Sequence, residues 1–214
     1  MKEKLAIFDI DFTLTKRETL LEFYFYMLKK NPKFIKYLPK SAFSSLLYIL
    51  KVYDASKAKK TFIRFIDGIE ETKMRKFVKE FYEKRLSKIL YKDAIDTIKK
   101  RKLEGYKIYL ISASAEFYLS EFYNIKEVDK VIGTRFVREN GLHRNEILGE
   151  NCKGEEKVRR LKEVLKKENI EVDFENSYMY SDSLSDLPLF NLVGHPYLIN
   201  HKKTHDKIEI LKWR

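Results

Sequence analysis

Five short apolar runs punctuate the chain, and between them apolar residues recur at helical intervals. The runs lie at Leu5-Ala6-Ile7-Phe8, Tyr106 to Ile111, Lys130 to Thr134, Ser177 to Ser181 and His195 to Ile199. Short runs without polar alternation predict strands buried on both faces, here over 4–10, 106–111, 130–134, 177–181 and 195–199. Spacings such as Met74, Phe77, Val78, Phe81 and Tyr82 predict amphipathic helices instead. Residues 16–91 read as helical throughout, with breaks at Asn31-Pro32 and Leu38-Pro39. Further helices are predicted over 93–103, closed by Gly105, over 115–124 and over 155–168, and a short C-terminal helix ends at Trp213. Asn140-Gly141 predicts a small hairpin that pairs 135–137 with 142–144. Strands alternating with helices imply an α/β fold on a doubly wound parallel sheet. The helical stretch after the first strand is expected to form a cap over residues 15–91, inserted into a core of 1–14 and 92–214.

Charge changes the picture of that insert. The chain carries a net charge of +12. Residues 14–91 hold 19 Lys or Arg against 8 Asp or Glu, so most of the excess sits there. Residues 23–53 contain six lysines, nine aromatics and no acid. Such a surface attracts anions, whether phosphorylated metabolites, nucleic acid or anionic lipid headgroups. Tyrosine and lysine suit a membrane interface, since their stems are apolar and their tips polar. The competing expectation is that these aromatics form the core of a small helical cap. A single cysteine, Cys152, forbids an intramolecular disulfide and points to a reducing compartment. The first residues lack the pattern of a signal peptide, and no apolar stretch is long enough to span a bilayer. A cytoplasmic location is expected.

Candidate chemistry collects where the runs end. Asp9 and Asp11 follow the first run two residues apart, so strand alternation points both the same way while Ile10 enters the core. Buried carboxylates need a partner or a metal; the plain alternative is a strand end capped by acids in a turn. The second run ends in Ser112-Ala113-Ser114, and the fourth in Ser181-Asp182-Ser183-Leu184-Ser185-Asp186. That last segment could simply cap the following helix. A basic helix opens at Lys153-Gly154-Glu155-Glu156-Lys157, where a lysine not in a site would lie on a solvated face. The four histidines show no zinc-ligand spacing with the cysteine. Neither a Gly-rich nucleotide loop nor a serine-hydrolase elbow is present.

Taken in order, these four segments resemble the haloacid dehalogenase superfamily of phosphohydrolases, nearest its phosphoserine-phosphatase-like subfamily IB. The resemblance covers nearly the whole chain outside residues 20–90. It implies that Asp9 is a nucleophile forming an aspartyl-phosphate. Asp11 would be the general acid and then the general base, with the two carboxylates titrating apart. Thr13 would position the phosphoryl oxygens or the loop. Ser112 and the Ala113 backbone would donate to phosphate, and Lys157 would neutralise it. Lys153 remains the alternative lysine, matching the Lys-Gly-Glu pattern of phosphoserine phosphatases. Asp9, the Asp11 carbonyl and Asp182 would hold Mg²⁺, which needs few protein ligands; Asp186 would orient a metal-bound water or pair with the lysine. Ala113 and Ser181 depart from the glycines usual in relatives. For substrate, Glu18 sits where relatives receive an amino group, and Arg64 is the cap arginine that could meet a carboxylate. Their plain alternatives are a helix N-terminal acid and an exposed helical charge. The resulting expectation is a Mg²⁺-dependent phosphomonoester hydrolase. Its substrate would be a small phosphometabolite such as phosphoserine, or a lipid phosphate such as phosphatidylglycerophosphate, and the cap could touch a membrane. A nucleic-acid-binding or membrane-surface-binding protein that merely uses the fold is the competing reading. Nucleic acid is disfavoured because acids at the sheet edge repel a polyanion.

Overall fold

The computed structural model describes residues 2–214. Its strands are β1 (Leu5–Phe8), β2 (Lys107–Ala115), β3 (Val128–Thr134), β4 (Phe136–Glu139), β5 (Leu142–Ile147), β6 (Tyr178–Ser181), β7 (His195–Ile199) and β8 (Glu209–Leu211). Its helices are α1 (Thr19–Lys30), α2 (Leu38–Ile49), α3 (Ala55–Phe62), α4 (Glu71–Lys84), α5 (Lys92–Leu103), α6 (Glu116–Leu119), α7 (Glu155–Lys167) and α8 (Leu187–Phe190). Six strands form one parallel sheet in the order β3-β2-β1-β6-β7-β8. β1 is central because every residue in it is apolar. Ala6 and Phe8 enter the core under α1, α4, α5 and α6, and Leu5 and Ile7 enter the core under α7 and α8. Strand order reverses at β1, which pairs with β2 on one side and β6 on the other. The crevice beyond the carboxyl ends at such a switch point is where open α/β sheets bind ligands.

The insert after β1 leaves and rejoins the sheet at adjacent backbone bonds. The Lys16 N–H donates to the Ile89 carbonyl at 2.7 Å, and the Tyr91 N–H to the Leu14 carbonyl at 3.0 Å. α1 anchors the insert by burying Phe23, Tyr24, Tyr26 and Met27, each worth roughly 1.5–3 kcal/mol of burial. Phe23 packs against Phe65, Phe81 and Tyr118. Phe23, Tyr24 and Tyr26 of α1 are therefore core, as the plainer expectation had it; Phe25 and the aromatics of α2 are exposed. Asn31-Pro32 and Pro39 bracket a 3-10 turn over Pro32–Tyr37, and Pro39 takes the first turn of α2, where its missing N–H costs nothing. The β4–β5 hairpin turns at Asn140 and Gly141, both at positive φ (51° and 75°). It is bonded to residues before α4, the Gly68 N–H meeting the His143 carbonyl at 2.9 Å.

Two sequence expectations change. The expected C-terminal helix is strand β8, which covers the open edge of β7. Ile208 is buried and Ile210 half-buried, an alternation of period two in a segment too short to bury a helical face. The second strand does not stop at Ile111 but runs through Ser112-Ala113-Ser114 to Ala115. Among the described residues no helix is long and apolar enough to cross a membrane.

Candidate active site

The chain leaves β1 by handing the ladder to Asp9, whose N–H donates to the Tyr180 carbonyl at 2.9 Å. A tight turn follows, in which the Ile10 carbonyl accepts from the N–H groups of Thr13, Leu14 and Thr15. Phe12 sits in that turn at φ 58°, a left-handed conformation that a bulky residue holds only when its surroundings impose it. The strained turn sets Asp9 and Asp11 side by side. Asp9 is only 7% exposed. The Asp11 carboxylate accepts from the Thr19 N–H at 2.6 Å, the Ser114 hydroxyl at 2.7 Å and the Ser112 hydroxyl at 3.3 Å. The backbone that opens α1 and the serines that end β2 thus fix the direction of one side chain on the β1 loop.

Lys157, in the first turn of α7, is buried. Its Nζ bridges Asp9 Oδ1 and Asp186 Oδ2, each at 2.7 Å. Lys153 points elsewhere, its Nζ 3.2 Å from the Tyr48 hydroxyl, so Lys157 is the lysine that reaches Asp9. Asp186 Oδ2 also accepts from the Ser181 hydroxyl at 2.7 Å. Thr13, fully buried, ties the loops after β1 and β6 together. Its Oγ1 accepts the Asp182 N–H at 2.8 Å and lies 3.4 Å from Asp182 Oδ1. Thr13 therefore acts on the loop. Ser112 is likewise turned inward, accepting the Ser114 N–H at 3.0 Å.

Four carboxylates, those of Asp9, Asp11, Asp182 and Asp186, share this edge with one buried ammonium. Burial pushes Asp9 up to about 8 against the pull of Lys157, with Asp186 and Asp11 adding repulsion. Burial likewise lifts Asp182 to about 6, helped by Asp186. For Lys157 burial works downward, but Asp9 and Asp186 outweigh it and hold the ammonium above its usual range. The edge is short of positive charge. Asp186 Oδ1 is buried with no hydrogen-bond partner. Among the described residues no three His, Cys, Asp or Glu side chains converge on one point. Mg²⁺, content with one or two carboxylates and several waters, fits the donor set of Asp9, Asp182 and the Asp11 carbonyl.

Two adjoining cavities open here. One of about 160 Å³ is lined by Asp9, Asp11, Ser112, Lys157, Asp182 and Asp186. The other, about 570 Å³, shares Asp11, Phe12, Ala113 and Lys153 with it and extends under the insert between Leu20, Leu21, Phe62, Tyr48 and Ala58. Glu18 and Lys59 add their charges to those of Asp11 and Lys153 there. Glu18 is the N-cap of α1, accepting the Leu21 N–H at 2.6 Å, so it serves the helix as well as facing the cavity. Burial raises its carboxyl to about 7, and Asp11 adds to the rise.

Arg64 does not join the site. It lies exposed in a 3-10 turn after α3 and lines neither cavity, because the buried positions of that turn are Phe65 and Ile66. The cation from the insert is Lys59, one turn earlier on α3. Its Nζ donates to the Ala113 carbonyl at 2.5 Å and to Asn151 Oδ1, and burial lowers it to about 8 against the pull of Asp11 and Glu18. Asn151 is itself held by the Thr134 hydroxyl at 3.0 Å. Lys59 and Asn151 escape sequence reasoning: Lys59 stands among Lys57 and Lys60, and nothing in spacing marks which of the three turns inward. Replacing Lys59 by Gln is expected to lower kcat/KM roughly 10–100-fold for a phosphomonoester whose leaving group carries an anionic or hydrogen-bonding end. Turnover of p-nitrophenyl phosphate, measured in parallel, should change far less. Equal losses on both substrates would make Lys59 a support for the Ser112–Ser114 strand end rather than a specificity group.

A model of the haloacid dehalogenase-like hydrolase family matches residues 6–191. A probable phosphatase of Mycobacterium tuberculosis is 25% identical over 91% of this chain and 68% of its own length. Among solved structures, a Bordetella pertussis Tohama I protein of unknown function superposes with a TM-score of 0.85 at 21% identity, covering 94% of this chain and 92% of its own. A phosphoserine phosphatase solved as a phospho-aspartyl intermediate analogue gives a TM-score of 0.65 at 20% identity over 94% and 88%. These two likenesses show the shared fold.

Proposed function

The chain belongs to the haloacid dehalogenase-like hydrolases, and from that membership and the acidic sheet edge we propose that it is a Mg²⁺-dependent phosphomonoesterase working through an aspartyl-phosphate at Asp9. The observation that carries the reading is the buried Lys157 bridging Asp9 and Asp186 beside a cavity sized for a phosphoryl group. A second support is the like-folded phosphoserine phosphatase solved with an analogue of such an intermediate.

Positive charge from a bound cation would return Asp9 to its carboxylate, which attacks phosphorus while the bond from phosphorus to the ester oxygen breaks, and Asp11 gives that oxygen its proton. Water then attacks the same phosphorus, the bond to Asp9 breaks, and Asp11 takes the water's proton, releasing phosphate and restoring both carboxyls. Asp11 can serve both steps because Thr19, Ser114 and Ser112 hold it in one direction. Lys157 meets charge on the transferring oxygens, and its second bond to Asp186 fixes its aim. Mg²⁺, held by Asp9, Asp182 and the Asp11 carbonyl, would supply the remaining positive charge that phosphoryl transfer demands. Closure of the insert over the larger cavity would exclude water during the reaction.

The leaving group belongs in that larger cavity. At about 570 Å³ it falls in the range of pockets for drug-sized ligands, and its walls are mostly apolar. Phosphoserine would leave much of it unfilled; a longer, partly apolar alcohol fits better, its polar end between Glu18 and Lys59. Phosphate release from p-nitrophenyl phosphate and from a panel of small and lipid phosphomonoesters tests the reading. Activity should require Mg²⁺, stop with EDTA, and rank long amphipathic esters above phosphoserine. Mg²⁺ should also raise the thermal midpoint of the EDTA-treated protein and leave Asp182→Asn unmoved. Turnover undiminished by EDTA would overturn the metal assignment.

A further inference from the structure

Helix α2 is turned inside out. Its polar stripe, Ser41, Ser44, Ser45 and Tyr48, recurs at the spacing of one helical face, and that face meets the protein. The Ser44 hydroxyl donates to the Ala58 carbonyl at 3.2 Å and the Ser41 hydroxyl to the Phe62 carbonyl at 3.3 Å, joining α2 to α3. Ser45 and Tyr48 line the large cavity. The apolar stripe faces outward: Phe43 is 59% exposed, Leu46 49% and Ile49 74%, continuing into Val52 at 65% and flanked by Ile35 at 62%. Scattered exposed apolar residues are ordinary, but a contiguous stripe on one helix is an interaction surface.

Charge decides what covers it. Lys33, Lys36, Lys40 and Lys51 rim the stripe, all exposed, and among the described residues none forms an ion pair with a carboxylate. Residues 23–53 contain no acid that could meet these lysines across a symmetric contact, so a second copy would bring like charges together. A nucleic acid would satisfy the lysines and leave the aliphatic stripe in water. An anionic bilayer satisfies both: apolar side chains enter the acyl boundary and lysines lie at the headgroups.

We propose that the outward face of α2 seats the protein on an anionic membrane surface. The same helix contributes Ser45 and Tyr48 to the wall of the large cavity, so the docked surface and the cavity share one element. The docking face, α2 with the residues that flank it, lies outside the catalytic edge and does not depend on the catalytic reading.

The test is co-sedimentation with phosphatidylcholine vesicles, with and without phosphatidylglycerol, at physiological ionic strength. It compares wild type with Phe43→Asp/Ile49→Asp and assays both on p-nitrophenyl phosphate. Wild type should sediment with the phosphatidylglycerol vesicles only, and the double variant should bind them roughly a hundredfold more weakly. Equal hydrolysis by the two proteins shows that the variant is folded. Wild type remaining in the supernatant, or the variant sedimenting equally, overturns the proposal. So does sedimentation velocity showing a wild-type dimer that the variant dissolves, which puts a second copy on this face. Vesicle binding without turnover by either protein would leave the docking intact and sink the phosphatase reading instead.

Discussion

Asp9→Asn is expected to abolish turnover and to make the metal-free protein more stable. The amide cannot attack phosphorus, so the loss is that of the nucleophile itself, on the order of 10⁴–10⁶ in kcat. The stability gain follows from the site's excess of negative charge. Burial holds the Asp9 carboxyl up at about 8, from an ordinary value of 3.8. Between those values the folded protein keeps the proton while the unfolded chain has released it, so folding takes up a proton. The stability contributed by this group is present below about pH 4 and falls as pH rises towards 8. Asn cannot ionise and escapes that loss. In EDTA the variant's thermal midpoint should exceed the wild type's at pH 8, and the gap should narrow as pH falls towards 4. A wild type that is more stable at pH 8 would mean that the Asp9–Lys157 pair outweighs desolvation, and would refute the charge account.

Lys157→Met has the opposite sign on stability and the same result on activity. The substitution keeps a long apolar stem but leaves Asp9 and Asp186 facing each other with no cation between them. Breaking a buried pair by removing one partner costs about 3–5 kcal/mol, which is roughly 6–20 °C in this chain. Combining it with Asp9→Asn should restore part of that loss, because one of the stranded charges is gone, and the interaction energy between the two changes should be large. A drop of only a degree or two, or strict additivity, would place Lys157 in solvent rather than between the acids. The comparison is made by thermal unfolding in EDTA, alongside phosphate release.

The sheet and its acidic edge are legible in the sequence for a physical reason. A parallel strand buried on both faces has no polar alternation, so it reads as an apolar run, and whatever follows the run sits at the carboxyl edge. That logic places Asp9, Asp11, Ser112 and Asp182 on one rim. The insert obeys no such rule. Its helices pack through aromatics whose inward or outward direction depends on partners far along the chain: Phe23 is buried against Tyr118, while Phe43, on the next helix, faces out. Lysines reveal their direction even less, which is why Arg64 is an attractive candidate on sequence and Lys59 occupies the cavity. The last strand, β8, is three residues long, and an edge strand that short carries almost no periodic signal.

The position of β1 has a consequence for how the chain is made. β1 emerges first from the ribosome, yet it is the middle strand, and Phe8 pairs with Leu110 on one side and Tyr180 on the other. About 170 residues separate Phe8 from its second partner. At ordinary rates of synthesis the segment Leu5–Phe8 waits roughly 9–34 s, with its β6 edge open, before the sheet can close around it. Through that interval the four-residue run keeps an unpaired apolar edge on the nascent chain. Folding is therefore expected to finish only after β6 is released, whatever the insert has done before then.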